Sequence, residues 1–203
     1  MRIILFGSTG TIGRAVGAAL TAANHEVIGV SRKAGPHRVD MEDRVSLEAF
    51  FARVGAFDAV ACSAGDVDAA PLDQITAGQW THSFAAKVMG QINLVHAALP
   101  HIADRGSFTL ISGVLTDERI HAGVIGTTVN HAIEGFVKSA AAELSRGIRI
   151  NCISPTVLVE SPAIHPYFPG YQPVPAARVA QAYLRAISNP LNGRVLKLHE
   201  TDA

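Results

Sequence analysis

Short apolar runs alternate with longer segments of helical periodicity along nearly the whole chain. Most runs are apolar at almost every position, which is typical of strands buried on both faces of a sheet. They predict strands at residues 3–6, 27–30, 59–62, 108–111, 148–153 and 195–198, with a short additional strand at 38–40. Apolar positions three and four apart predict helices at residues 11–23, 45–54, 76–101, 130–145 and 175–188.

This alternation of strand and helix predicts a single α/β domain covering residues 1–203. We expect a doubly wound parallel sheet (a Rossmann fold) with strand order 3-2-1-4-5-6-7 and a ligand crevice at the carboxyl ends of the strands. A length of 203 residues fits one such domain. Six prolines fall within residues 154–175, which we expect to form a long ordered loop.

Composition narrows the possible functions. Hydrophobic residues make up 48% of the chain, enough for a sizeable core. Seventeen basic residues balance seventeen acidic ones, which argues against nucleic acid or a membrane surface as partner. The sequence shows no signal-peptide pattern, so we expect a cytoplasmic protein. The distant Cys62 and Cys152 and the scattered histidines predict buried free thiols and no metal site.

A glycine-rich turn joins the first predicted strand to the first predicted helix. Glycines three residues apart permit a tight turn and bring backbone N–H groups close to a pyrophosphate. The helix N-terminus adds its dipole to the same anion. We therefore expect a dinucleotide to bind here, with a purely steric turn as the alternative. The turn consists of Gly7, Ser8, Thr9, Gly10, Thr11, Ile12 and Gly13.

The end of the second predicted strand indicates which dinucleotide is bound. An acidic residue here would hold the ribose hydroxyls of NAD, whereas an arginine accommodates the 2′-phosphate of NADP. The chain has Ser31, Arg32 and Lys33 at this point, and no acid before Asp40. The sequence therefore favours NADP over NAD, unless Arg32 and Lys33 only form a solvated turn.

With these motifs the chain resembles the short-chain dehydrogenase/reductase family over nearly its whole length. Further similar segments are 39–40, 62–65, 111–113, 140–151 and 154–156. The resemblance implies that several of their residues contact the cofactor, and that the protein forms a homodimer or homotetramer. The residues implied are Asp40 and Met41 at the adenine, Ser63, Ala64 and Gly65 at the ribose, and Pro155 and Thr156 near the nicotinamide.

The family's usual catalytic set is missing from the sequence. Family members carry Tyr-x-x-x-Lys on the helix before a segment like Ala-Ala-Ala-Glu-Leu, and the tyrosine is the general acid/base. Counting back from Glu143 places Gly126 at the tyrosine position and Asn130 at the lysine position. The serine position falls on Gly113. A positioned acid/base contributes about 10²–10⁴-fold in rate, so turnover would require substitutes.

Three residues are candidates for that substitute role. Lys87 lies in an apolar helical stretch near the position of the family's helix asparagine, and a partly buried lysine can exchange a proton. Ser112 is one place before the serine position, and His121 lies in the following loop. Each also has a structural alternative, such as a surface lysine or an exposed loop histidine.

Two functions fit this sequence. The first is an NADP-dependent oxidoreductase that acts on a small carbonyl or alcohol with a non-standard catalytic set. The second is an NADP-binding sensor or regulator without turnover. The intact glycine turn argues against a third possibility, a scaffold that binds nothing.

Overall fold

The computed structural model describes residues 1–199 and contains seven strands. These are β1 (Arg2–Phe6), β2 (Glu26–Ser31), β3 (His37–Arg38), β4 (Phe57–Cys62), β5 (Ile102–Ile111), β6 (Arg149–Pro155) and β7 (Val195–Leu198). They pair in parallel in one sheet, in the order β3-β2-β1-β4-β5-β6-β7. The predicted doubly wound sheet and its strand order are confirmed.

Helices cover both faces of this sheet. They are α1 (Thr11–Ala22), α2 (Arg44–Val54), α3 (Ala77–Ser83), α4 (Gly90–Ala98), α5 (Val124–Glu143) and α6 (Ala176–Ser188). Alternate residues of β1 point to opposite faces, so Ile4 and Phe6 join one core cluster while Ile3 and Leu5 join the other. The first cluster packs under α2, α4 and α5, and the second under α1 and α6. Burial on both faces explains why the strands are apolar throughout.

The long helix predicted at 76–101 is interrupted by a π-helical segment. This segment, Phe84–Met89, links α3 to α4 without a break in the chain direction. Thr76 caps the start of α3. The Thr76 side chain accepts from the Gln79 N–H, and the Gln79 side chain accepts from the Thr76 N–H. π-Helical turns often occur at functional sites, and this one carries Lys87.

Two elements begin six residues before their predicted starts. The helix α5 begins at Val124 rather than at residue 130. Its first turns contain glycine and threonine, which have low helix propensity, so packing rather than local preference forms this part. The strand β5 begins at Ile102, where Ile102 pairs with Phe57 before a shift in register. The charged residues Asp104 and Arg105 interrupt the apolar pattern here, so the sequence does not reveal this pairing.

Candidate functional site

The glycine turn after β1 has a geometry that only glycine permits at two of its positions. Gly7 has a φ of +80°, and a Cβ there would lie 2.8 Å from Ser63 Oγ. A Cβ on Gly13 would lie 2.0 Å from the Gly7 carbonyl oxygen. The turn therefore closes directly on the first helical turn. Gly10 N–H donates to Gly7 O at 3.0 Å and holds this arrangement.

The N-terminus of α1 presents free backbone donors at this turn. The first hydrogen bond within α1 runs from the Arg14 N–H to Gly10 O at 2.9 Å. The N–H groups of residues 11–13 therefore have no carbonyl partner within the helix. Gly10 is the N-cap and has no side chain that could satisfy them. The Ser8 hydroxyl does not help, because it donates to Val30 O at 3.2 Å. These N–H groups and the helix dipole form an anion-binding site.

A cleft of about 370 Å³ opens beside the turn, at the carboxyl ends of β1, β2 and β4. Eleven of the predicted cofactor residues line it, whereas Ser8, Thr11, Ile12, Gly13, Pro155 and Thr156 do not. The eleven are Gly7, Thr9, Gly10, Ser31, Arg32, Lys33, Asp40, Met41, Ser63, Ala64 and Gly65. Sequence analysis missed five further lining residues: Phe6, Val39, Glu42, Asp66 and Ala86.

Arg32 lies between two carboxylates at the mouth of this cleft. Its Nη2 is 3.0 Å from Asp66 Oδ2, and its Nη1 is 3.6 Å from Glu42 Oε1. The Arg32 side chain is 43% exposed, so these pairs are accessible to solvent and to a ligand. Ser31 turns away, because its hydroxyl accepts from the Ala34 N–H at 3.1 Å. Arg32 and Lys33 are thus the two cations that line the cleft, and Arg32 is held there by its two ion pairs.

The family's missing tyrosine and serine positions are filled by other side chains. A Cβ on Gly126 would lie 2.9 Å from Leu115 Cδ1, so Leu115 occupies the space beside this position. A Cβ on Gly113 would lie 3.1 Å from Asn130 Nδ2. Asn130 itself stands where the family's lysine is expected, and it is 7% exposed. The side chains of Leu115 and Asn130 therefore occupy space beside the positions of the family's tyrosine and serine.

Lys87 is buried behind Gly65, one of the residues that line the cleft. Its aliphatic chain packs on Gly65, where a Cβ would lie 2.6 Å from Lys87 Cδ. Its ammonium donates to Ser112 O at 3.4 Å. Burial lowers the pKa of Lys87, although the thiols of the two cysteines and the Asp66 carboxylate act in the opposite direction. Lys87 therefore packs against the last of the three residues predicted to face the ribose, Ser63, Ala64 and Gly65.

Gln91 ties the π-helical segment to the end of β5. Its Nε2 donates to Lys87 O at 3.2 Å and to Ile111 O at 3.0 Å. Its Oε1 accepts from the Ile111 N–H at 2.9 Å. These three buried bonds fix the backbone of Lys87 relative to the strand end, so the ammonium is positioned by the fold.

The other two catalytic candidates have different surroundings. Ser112 is buried, and its hydroxyl donates to Glu134 Oε1 at 2.8 Å, a contact that sequence analysis missed. This bond directs the Ser112 hydroxyl towards α5. His121 is exposed and is absent from the linings of the cavities described in residues 1–199. Catalytic roles for Ser112 and His121 stay predictions.

Other features of the described residues concern metals and membranes. Residues 1–199 contain no group of three or more His, Cys, Asp or Glu side chains placed to hold a metal ion. None of the helices in the same range combines the length and the apolarity that crossing a bilayer requires. Cys62 and Cys152 are buried free thiols, and burial raises the pKa of Cys152 to about 12.

A parallel doubly wound sheet with an anion site at its first strand–helix turn defines a nucleotide-binding Rossmann-type protein. The family profile described as enoyl-(acyl carrier protein) reductase matches residues 11–190. The chain belongs to the short-chain dehydrogenase/reductase family.

Solved structures and one curated relative are similar over most of the chain. The protein lin1944 from Listeria innocua is 37% identical with a TM-score of 0.94, covering 97% of this chain and 98% of that one. A small-chain dehydrogenase in complex with NADPH is 26% identical with a TM-score of 0.86, covering 98% and 96%. An uncharacterized oxidoreductase of Methylorubrum extorquens is 26% identical over 158 residues, or 77% of this chain. The match spans 62% of that relative's length.

Proposed function

We propose that this protein is an NADP(H)-dependent oxidoreductase that acts on a small carbonyl or alcohol. The observation that carries the proposal is the convergence of three features on one cleft. These are the glycine turn, its residue Gly10 at the N-cap of α1, and the cations Arg32 and Lys33. The NADPH complex of a 26% identical small-chain dehydrogenase supports the same cofactor.

The residues of the cleft fit the parts of a dinucleotide phosphate. The free N–H groups at the start of α1 suit a pyrophosphate, since they are unsatisfied donors at the positive end of a helix dipole. Arg32 would hold the 2′-phosphate, and Met41 and Asp40 line the adenine end. Ser63, Ala64 and Gly65 also line the cleft, and Lys87 packs behind Gly65. When bound, the nicotinamide ring would donate or accept the hydride.

The chain must then supply binding, orientation and a proton. Lys87 would support the segment that faces the ribose, because its aliphatic chain packs on Gly65 while its ammonium donates to Ser112 O. Burial also lowers its pKa towards a range in which an amine exchanges protons more readily. Ser112 and His121 remain alternative proton donors in this proposal. Assembly as a homodimer or homotetramer and a cytoplasmic location also stay predictions.

A titration with NADPH and NADH tests the cofactor assignment, with Arg32→Ala as the diagnostic variant. A hydrogen bond to a charged group contributes about 1.5–3 kcal/mol. Arg32→Ala should therefore weaken NADPH binding by about 10- to 150-fold and leave NADH binding nearly unchanged. Arg44→Ala is the matched control, since Arg44 is an exposed arginine paired with Glu48 on α2 outside the cleft lining. Equal losses for both nucleotides would contradict the 2′-phosphate role.

The same samples decide between the enzyme and the sensor. The second candidate function, the sensor, is favoured because Gly126 and Asn130 stand where the family's catalytic tyrosine and lysine are expected. Nucleotide oxidation on addition of any small carbonyl would support the enzyme. Tight NADPH binding without turnover across a broad panel would support the sensor, and binding of neither nucleotide would reject both functions.

A further inference from the structure

A second, smaller cavity lies at the carboxyl ends of β5, β6 and β7. Its volume is about 280 Å³. Its walls are the Val114–Thr116 turn with Glu118, Thr156 after β6, residues 169–172 of the proline-rich loop, and His199 after β7. The first cleft lies at the carboxyl ends of β1, β2 and β4, so the two cavities occupy different parts of the same sheet edge. In doubly wound folds this edge carries the ligand crevice.

Two buried polar side chains that line this cavity have no hydrogen-bond partner within residues 1–199. Thr156 is 6% exposed, and its Oγ1 makes no hydrogen bond. The His199 side chain is 4% exposed; its Nδ1 makes no hydrogen bond, and its Nε2 makes none but lies within ion-pair distance of Asp117. Buried polar atoms are almost always hydrogen-bonded, by protein, water or ligand. Two such groups lining one cavity indicate that it receives a molecule with polar atoms.

The fold places these two side chains side by side. The β6–β7 register pairs Pro155 with Leu198, so Thr156 and His199 are the next residues after the two strands. The Thr156 N–H donates to Leu198 O at 3.3 Å, which continues the pairing past the strand ends. The cavity wall is therefore an extension of the sheet and is held by its backbone.

Asp117 positions the imidazole of His199. Asp117 Oδ2 lies 3.2 Å from His199 Nε2, without the alignment of a hydrogen bond, and Asp117 Oδ1 accepts from the Lys197 ammonium. Burial acts to raise the pKa of Asp117, but the contacts with Lys197 and His199 outweigh it and hold the pKa below its ordinary value. Imidazole is a common proton donor and acceptor in enzyme sites.

We propose that this cavity is the substrate pocket, and that His199 with Thr156 binds the reacting oxygen and His199 provides the proton that the family's tyrosine would provide. The proposal rests on the function proposed above. In carbonyl reduction, the substrate carbon accepts the hydride that NADPH supplies, and the C=O π pair moves to the oxygen. The oxygen takes a proton from the His199 imidazolium, which is left as neutral imidazole. The products are the alcohol and NADP⁺.

The cavity also points to a class of substrate. Its volume is slightly below the range of about 300–1,000 Å³ that is usual for ligand pockets. Polar groups of Glu118, Tyr171 and Gln172 share the lining with the two unpartnered side chains. A small oxygen-rich compound, such as a short hydroxyaldehyde or hydroxyketone, matches this size and polarity. A long acyl chain does not.

The first test measures binding without nucleotide. Hydroxyacetone and dihydroxyacetone are added to the ¹⁵N-histidine-labelled protein, and the ring signals of His199 are followed by NMR, assigned by their loss in His199→Gln. We expect concentration-dependent shifts of the His199 signals and weaker binding in Thr156→Val. The control is His101, an exposed histidine beside the amino end of β5, whose ring signals should not move. Unmoved His199 signals across this panel would overturn the pocket assignment.

The second test measures turnover of the same hydroxycarbonyls with NADPH. His199→Gln should lower kcat by about 10²-fold or more, with unchanged NADPH affinity, whereas Thr156→Val should mainly raise KM. His101→Gln should match the wild type. Full kcat in His199→Gln would overturn the proton-donor role. If His199 responds to hydroxycarbonyls in a protein that binds no NADPH, the proposed function fails while the pocket stands. If NADPH is oxidised on addition of a hydroxycarbonyl but the His199 signals do not respond, the proposed function stands and the pocket assignment fails.

Discussion

Replacing Gly13 by alanine should disrupt the glycine turn although alanine suits a helix better than glycine. The added Cβ would lie 2.0 Å from the Gly7 carbonyl oxygen and 2.9 Å from Ser8 Cα. Both are backbone atoms, so no side-chain rotation can relieve the contact. The turn and the start of α1 must therefore move apart, and with them the backbone N–H groups that would bind a pyrophosphate.

Gly17→Ala in the same helix is the matched control. A Cβ on Gly17 would meet Leu5 Cδ2 at 3.5 Å, which is ordinary van der Waals contact. Gly17→Ala should thus show only the helix-propensity gain, about 0.5–1 kcal/mol of added stability. In Gly13→Ala the same gain is opposed by a backbone clash that costs at least about 1–3 kcal/mol. We expect the two variants to differ in unfolding free energy by about 1–3 kcal/mol.

Urea denaturation followed by circular dichroism measures this difference, and a fluorescence titration measures NADPH binding in the same samples. Gly13→Ala should be less stable than Gly17→Ala and should bind NADPH at least tenfold more weakly, while Gly17→Ala binds like the wild type. Equal midpoints with equal NADPH affinity would refute the reasoning, because the turn would then tolerate a side chain at its closest approach.

Two further predictions concern a buried hydroxyl and a carboxylate. The Tyr183 hydroxyl donates to Cys62 O at 2.6 Å in the core, so Tyr183→Phe should lower the unfolding free energy by about 1–2 kcal/mol, and an unchanged urea midpoint would count against this bond. The lowered pKa of Asp117 means that its carboxylate stabilises the fold above its unfolded-state pKa and loses this effect as the pH falls through its folded-state pKa. Asp117→Asn should therefore destabilise the protein at neutral pH, and the difference should vanish in acid; thermal melts across pH measure it, and a constant difference would contradict the prediction.

The sheet could be predicted from sequence because each strand carries its own signal. Burial on both faces makes most positions of the central strands apolar. The apolar pattern also located β7 at the bounds that the structure has. The start of α5 could not be predicted, since residues 124–130 form a helix through packing against their neighbours. The π-helical segment at 84–89 also leaves no local pattern, because it depends on the bonds of Gln91 to β5.

The glycine turn was predictable for the same local reason. Its requirements are met by consecutive residues, as the φ of Gly7 and the close approach of Gly13 show. The neighbours of the site are distant in sequence and were missed. Asp66 meets Arg32 from 34 positions away, and Glu134 meets Ser112 from 22 positions away. Only the fold brings such pairs together.

The loss of the family's tyrosine therefore has a structural meaning that the sequence alone did not show. Leu115 packs beside Gly126 and the Asn130 amide packs beside Gly113, so the space for the usual catalytic side chains is filled. If the protein reduces carbonyls as proposed, the proton must come from another wall of the crevice. The proposal assigns this role to His199, whose side chain is buried there and whose Nδ1 makes no hydrogen bond within residues 1–199. The His199→Gln variant therefore tests whether this histidine compensates for the absent tyrosine.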